Sequence, residues 1–283
     1  MPSNAATIQP DAIAHGHHVC GLYESRAEQE ELFAEFVRAG LSRGERVRCV
    51  VHQTPPDELL EWLAADGVDA NGALDVVSST ESYLLDASFD PDRMAARLHG
   101  AIDEALAAGF KGFRVAGEMS WVLDAGILGA GRLEAYEARM VEVVAARPAA
   151  ALCLYDRRRF DEAQSGAAVG LHDGVARLPT VSEDGQLRIH RLDGDGLRLR
   201  IAGEADLASS PALAAALGTA NGGDVHLDIG RLRFMDLSAT RVLAEFGAGM
   251  APSRRFELHG ASPSVRRLID ILGTYLARAE VTP

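Results

Sequence analysis

The chain has a single lysine, Lys111, only three cysteines and two tryptophans, and aromatic residues make up 6% of its 283 positions. Lysine and arginine together number 28 against 41 aspartates and glutamates, a formal net charge of −13. That balance argues against a nucleic-acid partner, because affinity for a phosphate backbone rests on clustered cations. No run of about 18 apolar residues occurs, so no membrane span is expected. The opening MPSNAATIQPDAIAHGHH lacks a charged segment followed by an apolar one, so it is not expected to act as a secretory leader. Cys20, Cys49 and Cys153 are odd in number, far apart, and each set in an apolar run. They read as reduced thiols of a cytoplasmic protein rather than a disulfide framework. Catalytic signatures are missing too: there is no phosphate loop of the form G-x-x-x-x-G-K-[ST], no G-x-S-x-G elbow, no H-E-x-x-H and no C-x-x-C. The lone lysine lies in Gly109-Phe110-Lys111-Gly112, away from any such loop. No enzyme activity, cofactor or resident metal is therefore expected.

What is present is a length sufficient for two cores and a hydrophobic content of 47%. From His18 onward, apolar runs at 19–23, 47–51, 74–77, 113–116 and 149–155 read as strands. Helical patterns lie between them at 27–43, 56–66, 91–108 and 133–146, with Asp90 before Pro91 and glycines 44, 67 and 109 as stop signals. Such alternation predicts a mostly parallel sheet with helices on both faces, and a functional edge at the carboxyl ends of its strands. Those ends carry Tyr23-Glu24-Ser25, His52-Gln53-Thr54, Ser78 to Glu81, Gly117 to Trp121, and Tyr155 to Phe160.

Several residues there have two readings. His15, His17, His18 and Cys20 have the chemistry of a metal or ligand site, or else form a mobile tail followed by two packed strand residues. Glu118 with Trp121 suits a polar ligand group under an aromatic wall, or a simple pairing with Arg114 or Arg157. The run Arg157-Arg158-Arg159 can grip an anion in bidentate fashion, or place one arginine inward and leave the rest solvated.

His18-Val19-Cys20 with Tyr23, Gly40 to Glu45, Gly117 to Trp121 and Tyr155 to Phe160 together resemble the MEDS domain, a sensory module of bacterial signalling proteins. The resemblance covers about Gly16 to Pro179. It implies a RecA-like sheet that senses small hydrocarbon derivatives, with His18, Cys20, Tyr23, Glu118, Trp121, Tyr155 and Arg157 as candidate ligand-binding residues for an unknown small molecule. Residues 161–184, rich in glycine with mixed polar residues and room for a short helix, read as the interdomain connection, partly packed on the first domain.

The second half is organised around VHLDIGRLRFMDLSATRVLAEF, from Val225 to Phe246. A buried strand, a turn at Gly230-Arg231-Leu232, the apolar Phe234-Met235 and then Asp236-Leu237-Ser238 lead into a helix over 239–247, with Ser238 as its expected cap. Upstream lies Gly203-Glu204-Ala205-Asp206-Leu207; downstream, His259 to Leu268 carries Gly260-Ala261-Ser262-Pro263-Ser264-Val265. This order resembles the STAS domain of anti-sigma factor antagonists, over roughly Gly185 to Tyr275. Ser238 matches that family's phosphorylated position, with Leu237 and Ala239 where serine and glycine are usual.

The resemblances imply an α/β chain with a flexible N-terminus at 1–15, a sensory domain at 16–179 and a smaller STAS domain at 180–283. The expected function is that of an anti-sigma factor antagonist. It binds an anti-sigma factor of the ATPase-like serine-kinase type through Asp206, Asp236, Leu237, Ala239 and Thr240, and is released by phosphorylation at Ser238. A homodimer is plausible for such a module. The alternatives are a non-phosphorylated docking or dimerisation module and, behind it, an enzyme using Glu118 as a base.

Overall fold

The computed structural model describes residues 6–68, 72–82, 84, 88–178, 180–183, 186–192, 195–271 and 279–282. Pro179, Gly185 and Tyr275, which bound the two resemblances, lie outside them, as do residues 1–5 of the expected flexible N-terminus. The chain divides into two compact units, Met1–Arg177 and Leu178–Pro283.

The first unit is a seven-stranded, wholly parallel sheet. In chain order its elements are β1 (Thr7–Ile8), β2 (His18–Tyr23), α1 (Arg26–Ser42), β3 (Arg46–Val51), α2 (Pro56–Ala65), β4 (Leu74–Ser78), α3 (Ser79–Ser82), α4 (Pro91–Ala107), β5 (Phe113–Glu118), α5 (Leu133–Ala146), β6 (Ala149–Asp156), α6 (Glu162–Gly170) and β7 (Gly174–Ala176). The strand order is β1-β7-β2-β6-β5-β3-β4. Strand periodicity sorts the side chains: Cys20, Val50, Val115, Cys153 and Tyr155 face a core completed by α4, α5 and α6, whereas Val19, Tyr23, Cys49, Val51 and Leu152 face α1 and α2. Both faces of the sheet are thus covered, which is why its strands read as continuous apolar runs.

One expectation is corrected here. Described residues of the N-terminal stretch are anchored: Thr7 and Ile8 pair with Val175 and Ala176, Ile13 is fully buried, and its carbonyl accepts from Arg43 at 2.9 Å and Arg114 at 2.5 Å. The stretch from Asp161, expected to pack partly on the first domain with room for a short helix, holds that helix and, beyond the expectation, a strand. Asp161 and Gln164 form a reciprocal capping box at the start of α6, and β7 then inserts between β1 and β2.

The second unit is a six-stranded mixed sheet in the order β13-β12-β11-β10-β9-β8. Its elements are β8 (Thr180–Glu183), β9 (Leu187–Arg191), β10 (Leu197–Ala205), α7 (Ser210–Leu217), β11 (Val225–Met235), α8 (Leu237–Gly249), β12 (Phe256–His259), α9 (Pro263–Ile271) and β13 (Glu280–Thr282). The turn expected at Gly230 is instead part of β11. Arg200 pairs with Asp228 but Ala202 with Arg231, and Gly203 pairs with Leu232 but Glu204 with Phe234, so β11 carries an extra residue at each step. Two bulges absorb the turn-like composition without ending the strand. Gly203 enables this: its φ is +96°, and a Cβ there would lie 2.0 Å from the Gln186 carbonyl oxygen.

Candidate functional site

At the carboxyl edge of the parallel sheet, Glu118 ends β5 and is 1% exposed. One carboxylate oxygen accepts the backbone N–H groups of Gln53 at 2.9 Å and Thr54 at 3.3 Å, and that of His52; the other accepts the Thr54 hydroxyl at 2.8 Å and the Gln29 amide. Both oxygens are saturated by donors that hold the turn after β3, so Glu118 is a fastener with no free lone pair aimed at a substrate. The pairing with Arg114 or Arg157 does not occur. Arg114 is locked to Glu45, and Arg157 to Glu24. Its neighbours in the arginine run are also engaged: Arg158 forks onto Asp156 at 2.8 and 2.7 Å, and Arg159 lies 3.8 Å from Asp124. Three carboxylates answer three guanidiniums, which removes the ready-made anion grip.

His52 is a residue whose role the sequence did not signal. Its Nδ1 is 2.6 Å from Ser79 Oγ and its Nε2 is 2.8 Å from Asp124 Oδ2. The order serine, histidine, aspartate has the connectivity of a nucleophile relay, but Ser79 is 1% exposed and presents no hydroxyl to solvent. The relay ties β3 and α3 to the short helical turn Ser120–Leu123 just before Asp124.

The seven expected ligand residues do not form one pocket. Tyr23 is buried on the α1 and α2 face, where desolvation and then the Glu118 and Asp156 charges push its phenol well up. Trp121 is fully buried against Phe89, ring centroids 4.3 Å apart. His18, Cys20 and Tyr155 lie together on the opposite face. There His18 Nε2 is 3.3 Å from Cys153 Sγ and 3.1 Å from Glu137 Oε2, while the Tyr155 hydroxyl donates to Glu137 Oε1 at 2.6 Å. His172 completes the group, its Nε2 3.7 Å from Glu137 Oε2. Desolvation, then the neighbouring His18, hold the His172 imidazole down at about 4. Of the two readings of His15, His17, His18 and Cys20, the joint site is not assembled, since His15 pairs with Glu45 at 2.7 Å and His17 accepts from the Ala14 N–H at 3.2 Å, while His18 and Cys20 are packed strand residues.

An open cavity of about 430 Å³ lies on the same face, between α4 and strands β3 to β5. Val50, Val77, Met94, Leu98, Phe113 and Met140 give it an apolar lining, and Arg48, Arg97, Glu81 and Glu104 add charged groups. None of the expected ligand residues lines it. Its signal was spread over helical and strand positions that read individually as core.

In the second unit, Asp236 rather than Ser238 caps α8: its Oδ1 accepts the Ala239 N–H at 2.9 Å. Ser238 sits inside the first turn, half-buried. Asp206 accepts the Ser209 N–H at 3.0 Å, and that bond holds its carboxyl below the usual range. Ala239 and Thr240 are corrected as contact residues. Both are buried, and the Thr240 hydroxyl is spent on the Asp236 carbonyl at 2.8 Å. Leu237, also expected there, is 63% exposed, and the structure exposes Leu207 and Phe234 beside it, at 69% and 50%. They share one end of β10 and β11, beside Ser238.

No helix among the described residues is long and apolar enough to cross a membrane. Residues 17–173 match the family model described as MEthanogen/methylotroph, DcmR Sensory domain, abbreviated MEDS, and residues 190–274 match the model described as Mlab, STAS domain. Among solved structures, the chain is similar to an anti-sigma factor antagonist from Mycobacterium paratuberculosis, 21% identical over 36% of this chain and 90% of that one, with a TM-score of 0.32. It is also similar to the flagellar accessory protein FlaH from Methanocaldococcus jannaschii, 13% identical over 64% of this chain and 79% of that one, with a TM-score of 0.43. No curated protein matches it.

Proposed function

The chain belongs to the MEDS family and carries a STAS domain after it, and from that premise we propose that it is a signalling regulator, an anti-sigma factor antagonist whose output is gated by a sensed small molecule. In this reading the STAS domain binds an anti-sigma factor of the ATPase-like serine-kinase type, and phosphate on Ser238 ends the complex. The observation that carries it is the placement of Ser238 at the start of α8 beside three exposed apolar side chains, Leu207, Phe234 and Leu237. Exposed leucines and a phenylalanine grouped at one sheet end suit a protein partner. A phosphate added among them carries nearly two negative charges into the interface, at a cost the positive helix end only partly offsets. The 430 Å³ cavity, apolar with a few charged groups, is of the size and character of a small-molecule site and is the place for the sensed ligand. The chain itself performs no catalysis in this scheme, and its place is the cytoplasm with its partner.

The test is capture and phosphate transfer with the full chain and the serine-kinase anti-sigma factors of the same organism. Capture kept by Ser238→Ala and weakened at least tenfold by Ser238→Asp is the expected result. Equal capture of both variants, with no label on Ser238, supports instead a docking or dimerisation module without a switch. Leu237, an apolar side chain where a hydroxyl is usual, favours that second reading.

A further inference from the structure

We propose that His18, Glu137, Cys153 and His172 form a binding site for one divalent transition-metal ion of the zinc class. The four come from β2, α5, β6 and the turn after α6, and one donor atom of each lies within 4.8 Å of the other three. Zinc bonds of about 2.0–2.3 Å at tetrahedral angles require donor separations of roughly 3.3–3.8 Å. The separations found are 3.1 Å for His18 Nε2 to Glu137 Oε2, 3.3 Å for His18 Nε2 to Cys153 Sγ, 3.7 Å for Cys153 Sγ to Glu137 Oε2, and 3.7 Å for His172 Nε2 to Glu137 Oε2. Two imidazoles, a sulfur and a carboxylate suit zinc, cobalt or nickel, and are a poor set for magnesium or calcium.

Orientation supports the same assignment. His172 Nδ1 lies 2.6 Å from the Ala168 carbonyl oxygen, a contact that requires the proton on Nδ1 and leaves Nε2 as a bare lone pair. That lone pair has no hydrogen-bond partner and faces a carboxylate oxygen, so two acceptors look at each other with nothing between them to bind. An ion between them resolves the mismatch. Tyr155, donating to Glu137 Oε1 at 2.6 Å, holds that oxygen away and turns Oε2 toward His18 Nε2, Cys153 Sγ and His172 Nε2. Both are the outer hydrogen bonds that fix metal ligands in place. Charge closes as well: a dication held by the Glu137 carboxylate and the Cys153 thiolate is neutral as a unit, with the thiol proton released to solvent. The second histidine-rich group, His226, Glu257 and His259, is half-exposed and has both imidazoles on one carboxylate oxygen, at 2.7 and 3.2 Å. Ordinary ion pairing accounts for it.

This assignment concerns the first unit alone and does not depend on the reading of Ser238. The test uses the full chain, stripped with a chelator and titrated with cobalt(II). One equivalent should bind, with the visible bands of tetrahedral cobalt and a thiolate charge-transfer band in the near ultraviolet, and zinc should displace it. Cys153→Ser should abolish the charge-transfer band, His172→Gln should weaken binding at least tenfold, and Cys20→Ser, a neighbouring thiol outside the set, should leave the band unchanged. Absence of any band in the unsubstituted chain, or a band lost in Cys20→Ser and kept in Cys153→Ser, would overturn the site, whatever the folding of the other variants.

Discussion

Asp236 accepts the backbone N–H of Leu207 at 3.1 Å through one carboxylate oxygen while the other caps α8. One side chain therefore holds the loop after β10 against the start of the helix that bears Ser238. Asp236→Ala should cost about 1 kcal/mol for the cap and more for the released loop. Asp236→Asn should cost less, because its amide oxygen can still cap the helix while its NH₂ meets the Leu207 N–H donor to donor. Urea unfolding of both variants checks the order; equal losses would contradict the two-way role.

Leu207, Phe234 and Leu237 contribute little to the core because they remain at least half exposed. Replacing all three by serine should change unfolding stability by no more than about 0.5 kcal/mol per site. Capture of the proposed anti-sigma partner should fall at least tenfold. A loss of stability with capture intact would assign the trio to folding rather than docking.

Two glycines with nearly the same backbone separate strain from space. Gly203 and Gly16 have φ of +96° and +90°, yet a Cβ at Gly203 meets a carbonyl oxygen at 2.0 Å, whereas at Gly16 it meets nothing within 4 Å. Gly16→Ala should cost about 1 kcal/mol, the left-handed penalty alone. Gly203→Ala should cost more than about 2 kcal/mol, because the β9–β10 approach must open. Similar losses in thermal or urea unfolding would refute the steric account.

Period and punctuation made the large sheet legible: α5 spans Leu133–Ala146, the residues that its apolar spacing predicts, and the strand runs at 47–51 and 149–155 lie within the observed strands. The short strands β1 and β7 were hidden because two or three residues show no period, and their pairing is between segments about 168 positions apart. The metal-type cluster was invisible for the same reason. His18, Glu137, Cys153 and His172 have no local spacing rule, and only the β2–β6 register with α5 above it unites them. Ala239 and Thr240 failed as contacts because a sequence motif gives proximity to Ser238 but not the side of the helix; three residues per turn cannot all face outward.

Glu118 is the residue whose catalytic reading the hydrogen bonds replace with a structural one. Glu118→Gln puts an NH₂ where an oxygen now accepts N–H and O–H donors, so at least one buried donor loses its partner. A loss of about 2–3 kcal/mol is expected in urea unfolding. Hydrogen exchange should accelerate at the amides of His52, Gln53 and Thr54. Unchanged protection there would show that the turn holds itself.

Acid should loosen the second unit through Asp228. Burial by itself raises this carboxyl, but Arg200 at 2.8 Å and the Gly230 N–H at 3.1 Å outweigh it and hold the carboxyl below its ordinary value. A carboxyl whose folded value lies under its unfolded value of about 3.9 binds protons more readily in the unfolded chain. Its stabilisation is therefore full above about pH 4 and is lost as pH falls through the folded value. Asp228→Asn should cost about 1.5–3 kcal/mol at neutral pH, the range for a hydrogen bond to a charged group, and should flatten the dependence below pH 4. Both tryptophans, Trp62 and Trp121, lie in the first unit, so the acid transition of the second should appear in far-ultraviolet circular dichroism without a matching change in tryptophan fluorescence. Asp156, held below its ordinary value in the first unit by Arg158 against its own burial, titrates in the same direction; fluorescence reports that separate loss. An Asp228→Asn chain with an unaltered acid profile by circular dichroism would place the acid sensitivity elsewhere in the sheet.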